Sequence, residues 1–236
     1  MNLSSHSTVS IVVAKANSSR VPRKNFRTFF NGSSLVDLTL DLHCNSGLDI
    51  PIILSTDEVS YVVPSNVFLH SRSPSLSQFE TPVIDVLLDV IKAFHLSNNC
   101  RLILLQPTSP FRTPKNYIDF VSFMNSHSSK SSAFSVYRVE DNHPARMYYL
   151  DSDKLTPVLA EKVSLQSQDL NDCYHRNGCF YSLNVPDILE GNLYSNTNPL
   201  PFIMPFESSV NIDTILDFKI AQTLYPQFID GSLAKL

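Results

Sequence analysis

Hydrophobic positions along the chain change period several times, and each change predicts an element. Val9 to Ala14 is an almost unbroken apolar run rich in β-branched residues, the pattern of a strand buried on both faces. A polar loop follows, and from Leu35 to Cys44 apolar residues recur at helical spacing before Asn45-Ser46-Gly47 ends the run. Pro51 to Ser55 and Arg101 to Leu105 are two further short apolar strands, the second running into a Pro-rich loop. Between them Thr81-Pro82 opens a helix, with Pro82 at its first position and Val83, Leu87, Val90, Ile91 and Phe94 along one face. Asn116 to Phe123 reads as helical, Ser132 to Val139 as extended and Asn177 to Leu183 as a strand. Asp213 then starts a final helix carrying Ile215, Leu216, Ile220 and Leu224.

Strands alternating with helices predict an α/β fold: a doubly wound, mainly parallel, Rossmann-like sheet with right-handed crossovers. Residues 140–172 break this rhythm with short extended pieces and polar loops, which predicts a small segment projecting from the sheet. The 236 residues, 43% hydrophobic, suit a single domain over 1–236 with that segment as an appendage. No apolar run reaches the roughly 20 residues of a membrane-spanning helix. The apolar part of Ile11 to Ala16 is too short for a signal peptide and lacks a basic segment before it. Cys44, Cys100, Cys173 and Cys179 form neither a C-x-x-C pair nor a zinc-finger spacing, so they are expected to be free thiols in a reducing compartment, and a cytoplasmic location is expected.

A formal net charge of −4 gives no general attraction for nucleic acid or an anionic membrane, and neither is an expected partner. The distribution changes the picture. Residues 1–36 hold no Asp or Glu, yet Lys15, Arg20, Arg23, Lys24 and Arg27 follow the first strand directly. Five cations so placed suit a compact polyanion such as a triphosphate, although a solvated basic loop fits the charge alone equally well.

Ligands of open α/β sheets bind beyond the carboxyl ends of the strands, so the loops there carry the candidate chemistry. The first runs from Ala14 to Asn25; its small residues let backbone N–H groups approach phosphate oxygens while Arg and Lys neutralise charge. It is neither a Walker loop nor a G-x-G-x-x-G fingerprint. It resembles instead the A-R-G-G-S-K-R-I-P-R-K-N signature with which CMP-sialic acid synthetases and related cytidylyltransferases bind CTP. The tail Arg20 to Asn25 matches, while Lys15, Ala16, Asn17 and Ser19 stand where the family has Arg, Gly, Gly and Lys.

The resemblance continues in family order over roughly residues 8–225. Ser55-Thr56-Asp57 is similar to the family's S-T-D, and Leu104 to Thr113 is nearly identical to L-L-Q-P-T-S-P-L-R-T. Tyr174 to Tyr181 resembles Y-R-R-N-G-A-I-Y, with His175, given no role, in place of an arginine, and Gly178 permitting close backbone approach. Ser167 replaces another arginine of the family, one expected near the sugar carboxylate. Glu207 to Phe218 resembles E-x-S-V-D-I-D-T-x-L-D-F, with Asn211 for the first metal-binding Asp and Asp213 for the second.

The resemblance implies roles. Lys15, Ala16, Asn17, Ser18, Arg20 and Asn25 would hold the nucleotide, with Arg72 before Pro74 and, more weakly, Thr81. Lys24, Asp213 and Asn211 would be catalytic. Gln106 would contact the sugar, with Thr108, Ser109 and Arg112 supporting that pocket and Tyr174 and Asn177 beside it. Asn211 and Asp213, two apart on an extended segment, would share Mg2+ on the phosphates; Asp213 is equally placed as the N-cap of the last helix, and Asp217 as a first-turn acid.

The expected partners are CTP, a nonulosonic acid sugar of the sialic, legionaminic or pseudaminic type, and a second copy in a homodimer reached by 140–172. The expected reaction is CMP transfer to the anomeric hydroxyl, accelerated by positioning and charge neutralisation. Two alternatives remain open: a degenerate nucleotide-binding or regulatory homologue without catalysis, and a related ketodeoxyoctonate cytidylyltransferase.

Overall fold

The first predicted strand is β1 (Thr8–Ala14), whose alternation puts Val9 and Ile11 against one face of the sheet and Val12 and Ala14 against the other. A computed structural model describes residues 2–128, 131–162, 166, 169–194 and 198–233. After β1 come a two-stranded ribbon, β2 (Thr28–Phe30) and β3 (Ser33–Ser34), then α1 (Leu35–Cys44), β4 (Ile52–Thr56), β5 (Val67–Ser71) and α2 (Val83–Ala93). β6 (Arg101–Leu105), α3 (Pro114–Asn125), β7 (Ala133–Arg138), β8 (Tyr148–Asp151) and β9 (Lys154–Pro157) follow. The chain continues through β10 (Tyr174–Asn184), α4 (Val185–Leu189), β11 (Leu200–Ile203) and α5 (Ile215–Ile229). Among the described residues no helix is long and apolar enough to cross a membrane.

Seven strands form one sheet in the order β11-β7-β10-β6-β1-β4-β5. Only β10 runs antiparallel to its neighbours, so the sheet is mainly parallel as expected. α1 and α3 cover one face with Leu40, Tyr117 and Phe120; α2 and α4 cover the other with Leu87, Val90 and Ile188. A third cluster, around Phe29, Phe111, Phe218 and Tyr225, seats α5 against the ribbon and the loop after β6.

The chain leaves β1 toward β4 on one side and returns to β6 on the other, which makes the β1/β6 boundary a topological switch point. Both strands end there in the loops singled out above. β10, being antiparallel, brings its first half to the same end: Tyr181 pairs with Leu104, which sets Gly178 level with the start of the β6 loop. Three helices that follow site loops begin with the same device. Ser34 with Asp37, Thr113 with Asn116, and Thr214 with Asp217 each exchange side-chain and backbone hydrogen bonds across the first turn, fixing where each loop ends.

Several expectations need correction. Pro82 is the N-cap of α2 and Val83 its first residue. α3 starts at Pro114, ahead of the expected Asn116, because Thr113 caps it. β5, α4 and β11 were not anticipated. Within 140–172 the hairpin β8–β9 stands apart from the seven-stranded sheet, paired from Tyr148 with Pro157 to Asp151 with Lys154 and exposed along nearly its whole length. Ser167 lies outside the described residues.

Candidate active site

Three loops meet at the backbone of Ile212. Its N–H donates to the Thr108 carbonyl at 2.8 Å, and its own carbonyl accepts from Lys24 Nζ at 2.7 Å. The Ile212 side chain is buried in the cluster of Val21, Phe111 and Phe218. Its neighbours therefore face the other way, and Asn211 Nδ2 donates to Asp213 Oδ2 at 2.9 Å. The segment has no ladder partner, so the expected strand end is only an extended stretch; alternation along it is enough to bring the two side chains together. Lys24 Nζ stands 3.7 Å and Arg20 Nη1 3.6 Å from Asp213 Oδ1.

A cleft of about 240 Å³ opens beside this junction, lined by Lys15, Lys24, Asn25, Arg72, Gln106 and Thr108, with Thr81 on its far wall. A smaller cleft of about 150 Å³ shares Lys15 and Lys24 and adds Ser18, Arg20 and Asp213. Basic groups thus line both, with Asp213 at the outer edge. Burial lowers the Lys24 ammonium below the ordinary lysine value, and Asp213 pulls the other way. Burial likewise lowers the Arg72 guanidinium to about 10, opposed by Asp57, and it stays charged at neutral pH. A larger cleft of about 350 Å³ lies at the base of the projecting hairpin, where Arg138 pairs with Asp172 and Arg146 with Asp141. Its cations already have carboxylate partners, which leaves less positive charge for an anionic ligand than the β1 loop offers.

The polar side chains of the site divide into those that face the cleft and those that hold it. Asn25 Nδ2 donates to the Lys15 carbonyl, closing the loop on itself, while its Oδ1 is buried without a hydrogen-bond partner among the described residues. Lys15 reaches across to the carbonyls of Gln78 and Phe79, at 3.1 and 3.4 Å. Gln106 Oε1 and Ser109 Oγ lie over Gly178, where an added Cβ would stand 2.8 Å from each. With φ at +77°, this position suits glycine twice over.

Other sequence assignments come out differently. Arg112 is buried, its guanidinium donating to the carbonyls of Cys179 and Gln106 and to Thr39 Oγ1 beneath the Phe180 ring. It fixes the loop from below and presents nothing to the cleft. Asn177 is also buried: its Oδ1 accepts from Ser135 Oγ and the Cys179 N–H, and its Nδ2 donates to Ser209 Oγ. The Ala16 N–H donates to Asp57 Oδ1 at 2.7 Å, so it is not turned to a phosphate. Asn17 is exposed and lines neither cleft. Tyr174 sits on the exposed start of β10 opposite Arg138, outside the Gln106 pocket. Asp213 is not the helix cap: Thr214 is, and Asp217 accepts from the Asp213 and Thr214 N–H groups. Asp57 and Gln78 were missed as parts of the site; the S-T-D tripeptide was the available signal for the first.

Known proteins resemble this chain in sequence and in fold. A profile of the cytidylyltransferase family matches residues 9–175. The chain is 27% identical over 216 residues to an N-acylneuraminate cytidylyltransferase of Streptococcus agalactiae, covering 89% of this chain and 51% of that protein. It thus spans about half the length of that relative. It is 26% identical over 227 residues to the pseudaminic acid cytidylyltransferase of Campylobacter jejuni, covering 91% of this chain and 94% of that one. A CMP-N,N'-diacetyllegionaminic acid synthase of Legionella pneumophila is also 26% identical, with 92% and 95% covered. Among solved structures, a CMP:2-keto-3-deoxy-manno-octonic acid synthetase complexed with CTP superposes with a TM-score of 0.62 at 13% identity, covering 93% of this chain and 98% of that one. At that identity the likeness speaks for the fold alone.

Proposed function

Because the chain belongs to the cytidylyltransferase family, we propose that it transfers CMP from CTP to the anomeric hydroxyl of a nonulosonic acid of the sialic, legionaminic or pseudaminic type. The observation that carries this reading is the junction at Ile212, which sets Lys24 and Asp213 together at the edge of a basic cleft with Gln106 in its wall.

Lys24 and Arg20 hold the triphosphate, and Lys15 joins them by exchanging two loop carbonyls for phosphate oxygens. Asn25 Oδ1, buried and unpartnered, accepts a hydrogen bond from the nucleoside. Gln106 and Thr108 face the sugar. The anomeric oxygen forms a bond to the α-phosphorus in line, the bond to the β-phosphate oxygen breaks, and pyrophosphate leaves with the electron pair while the hydroxyl proton passes to solvent. No side chain of the chain becomes a nucleophile; Lys24 and Arg20 lower the barrier by compensating charge on the phosphates.

Asp213 and Asn211 suit Mg2+. The first offers a half-exposed carboxylate and the second an amide beside it, and among the described residues no three His, Cys, Asp or Glu side chains form an all-protein cage. Magnesium takes one or two carboxylates and completes its shell with phosphate and water, and there it would offset phosphate charge. The exposed Tyr149, Leu150 and Leu155 of the β8–β9 hairpin support a homodimer in which this hairpin meets the partner.

One observation favours a second reading, that of a nucleotide-binding homologue without catalysis: Asn211 leaves the pair beside Ile212 one carboxylate, Asp213, where the family signature has two. Pyrophosphate release and CMP-sugar mass, measured with CTP, Mg2+ and each of sialic, legionaminic, pseudaminic and ketodeoxyoctonic acids, separate the possibilities. Turnover with a nine-carbon acid is expected; turnover with ketodeoxyoctonate alone reassigns the sugar, and none with any acid removes the transferase reading.

A further inference from the structure

Behind the cleft, four polar side chains from two strands, a helix and a loop are linked end to end. Arg72 Nε donates to Ser55 Oγ at 3.0 Å; Ser55 Oγ lies 2.9 Å from His70 Nδ1; His70 Nε2 lies 3.0 Å from Asp89 Oδ2. Ser55 and His70 are direct cross-strand partners on β4 and β5, both buried, and Asp89 reaches them from α2. The chemistry of the two ends fixes every proton between them. A guanidinium only donates, so Ser55 Oγ accepts from Arg72. A carboxylate only accepts, so His70 carries its proton on Nε2. His70 is neutral, since burial lowers its pKa below the ordinary histidine value against the pull of Asp89, and Arg72 pushes the same way as burial. Its Nδ1 is then a bare acceptor, and the one Ser55 hydroxyl proton goes to it.

Nothing in the transfer chemistry uses Ser55, His70 or Asp89, yet their chain ends on a residue of the cleft wall. Arg72 Nη2 also donates to the Ser55 carbonyl at 3.0 Å, so one edge of the guanidinium is gripped by two atoms of a single residue. Among the described residues Nη1 has no hydrogen-bond partner, and Arg72 lines the cleft with Lys15 and Lys24. A hydroxyl free to rotate would hold Nε only part of the time; one whose proton is taken by His70 keeps its lone pair on Arg72.

We propose that Asp89, His70 and Ser55 form a directed hydrogen-bond relay that positions the Arg72 guanidinium to receive the nucleotide. These are positioning residues, and the proposal rests on the CTP reading only for the identity of the ligand. Removing the relay frees Arg72 to sample other rotamers, so the loss falls on CTP affinity and KM more than on kcat.

Two measurements on the full chain test this. Long-range 1H–15N spectra, with the His70 ring assigned by its absence in His70→Phe, are expected to show a protonated Nε2 and a bare Nδ1; a proton on Nδ1 overturns the relay whatever the ligand. Calorimetry with CTP then compares variants, each checked by thermal unfolding. His70→Phe, which keeps a ring against Phe94, should weaken CTP binding about 10-fold, the scale of one lost charge-assisted hydrogen bond. His70→Asn, whose Oδ1 takes the place of Nδ1, should recover to within about 3-fold. In an Arg72→Ala background His70→Phe should add nothing further. An equal loss in that background, or normal binding by folded His70→Phe, overturns the relay alone. Should His70→Phe not fold, Asp89→Asn replaces it in the same comparison. If the unaltered chain binds no CTP, the functional reading falls, and the relay's task with it.

Discussion

Replacing Gly178 with Ala perturbs the site through one methyl group, and its consequences can be worked out atom by atom. The added Cβ would stand 2.8 Å from Gln106 Oε1 and 2.8 Å from Ser109 Oγ, on a backbone with φ at +77°. The left-handed conformation alone costs an L-residue roughly 1–2 kcal/mol. Gln106 can swing its flexible end away at little energetic cost, but that end lines the cleft and is the group to which the proposed function assigns the sugar. Ser109 cannot yield so easily: it is buried, and its Oγ donates to the Asn177 carbonyl at 3.0 Å. Losing that bond adds about 1 kcal/mol. A total of about 2–3 kcal/mol lowers Tm by roughly 4–12 °C in a chain of this size. Steady-state assays should show the KM for the sugar rising about 10-fold, a displacement of one positioning group, with the KM for CTP changing less. Adding Ser109→Ala relieves one of the two contacts, so it should restore part of the stability but not the sugar KM. A Gly178→Ala chain that melts within about 1 °C of the parent and keeps its sugar KM would refute the close approach of β10 to the β6 loop.

Three further outcomes follow from individual groups. Asn211→Asp supplies a second carboxylate beside Asp213 and should lower the half-saturating Mg2+ concentration about 5-fold or more; a catalyst responds in this way, whereas a scaffold without chemistry stays silent under the same titration. Lys24→Met should reduce kcat/KM about 100-fold, the scale of one lost charge-stabilising donor. Because burial lowers the pKa of Lys24, CTP affinity should be full while the ammonium is charged and fall as pH rises, beginning below the ordinary lysine value; a profile unchanged in Lys24→Met would contradict the assignment. His43, buried beside Tyr117, has its pKa lowered to about 4 from 6.5. The unfolded chain therefore takes up the proton first, so stability is full above pH 6.5 and declines as pH falls toward 4, by roughly 3 kcal/mol. Urea midpoints at pH 7 and pH 4.5 should converge in His43→Phe.

The sequence made the core of the sheet legible because its strands are buried on both faces. β1 and β6 have almost no polar positions, and α1 carries both its helical period and its cap. β5 and β11 lie at the two edges of the sheet, where a run of five residues closing in His70-Ser71, or one of four carrying Pro201, is too short and too interrupted to read as a strand. The direction of β10 was not legible at all, since an apolar run reads the same parallel or antiparallel. Within the site, motif spacing located the loops but not the orientation of each group. Arg112 and Asn177 are polar residues in site loops and were assigned to the sugar, yet both turn inward and bind backbone atoms. A buried organiser and a ligand contact draw on the same residue types, and only the third dimension separates them.

That separation bears on the departures in the first loop. Arg20 to Asn25, the part that matches the family signature, is the part anchored by structure: Val21 is buried in the α5 cluster and Lys24 is bound to Ile212. The substituted positions Lys15, Ala16, Asn17 and Ser19 precede it, where the loop is fixed from outside. Asp57 takes the Ala16 N–H, Asn25 takes the Lys15 carbonyl, and the Lys15 ammonium spans the cleft to Gln78 and lies 5.4 Å from the Phe79 ring centre. Among the described residues the loop from Lys15 to Ser19 contains no positive φ, so its path does not call for the freedom that glycine brings. The departures therefore keep a long cation at Lys15, where the family signature has Arg, remove the one at Ser19 and leave the Ala16 N–H bound to Asp57, while the junction that holds Lys24 against Asp213 is untouched. This predicts that reverting Ala16 and Asn17 to Gly should not raise CTP affinity, whereas Lys15→Ala should lower it about 10-fold, by removal of a charge-assisted phosphate contact. Calorimetry that finds the reverse order would show that the loop still works through its backbone.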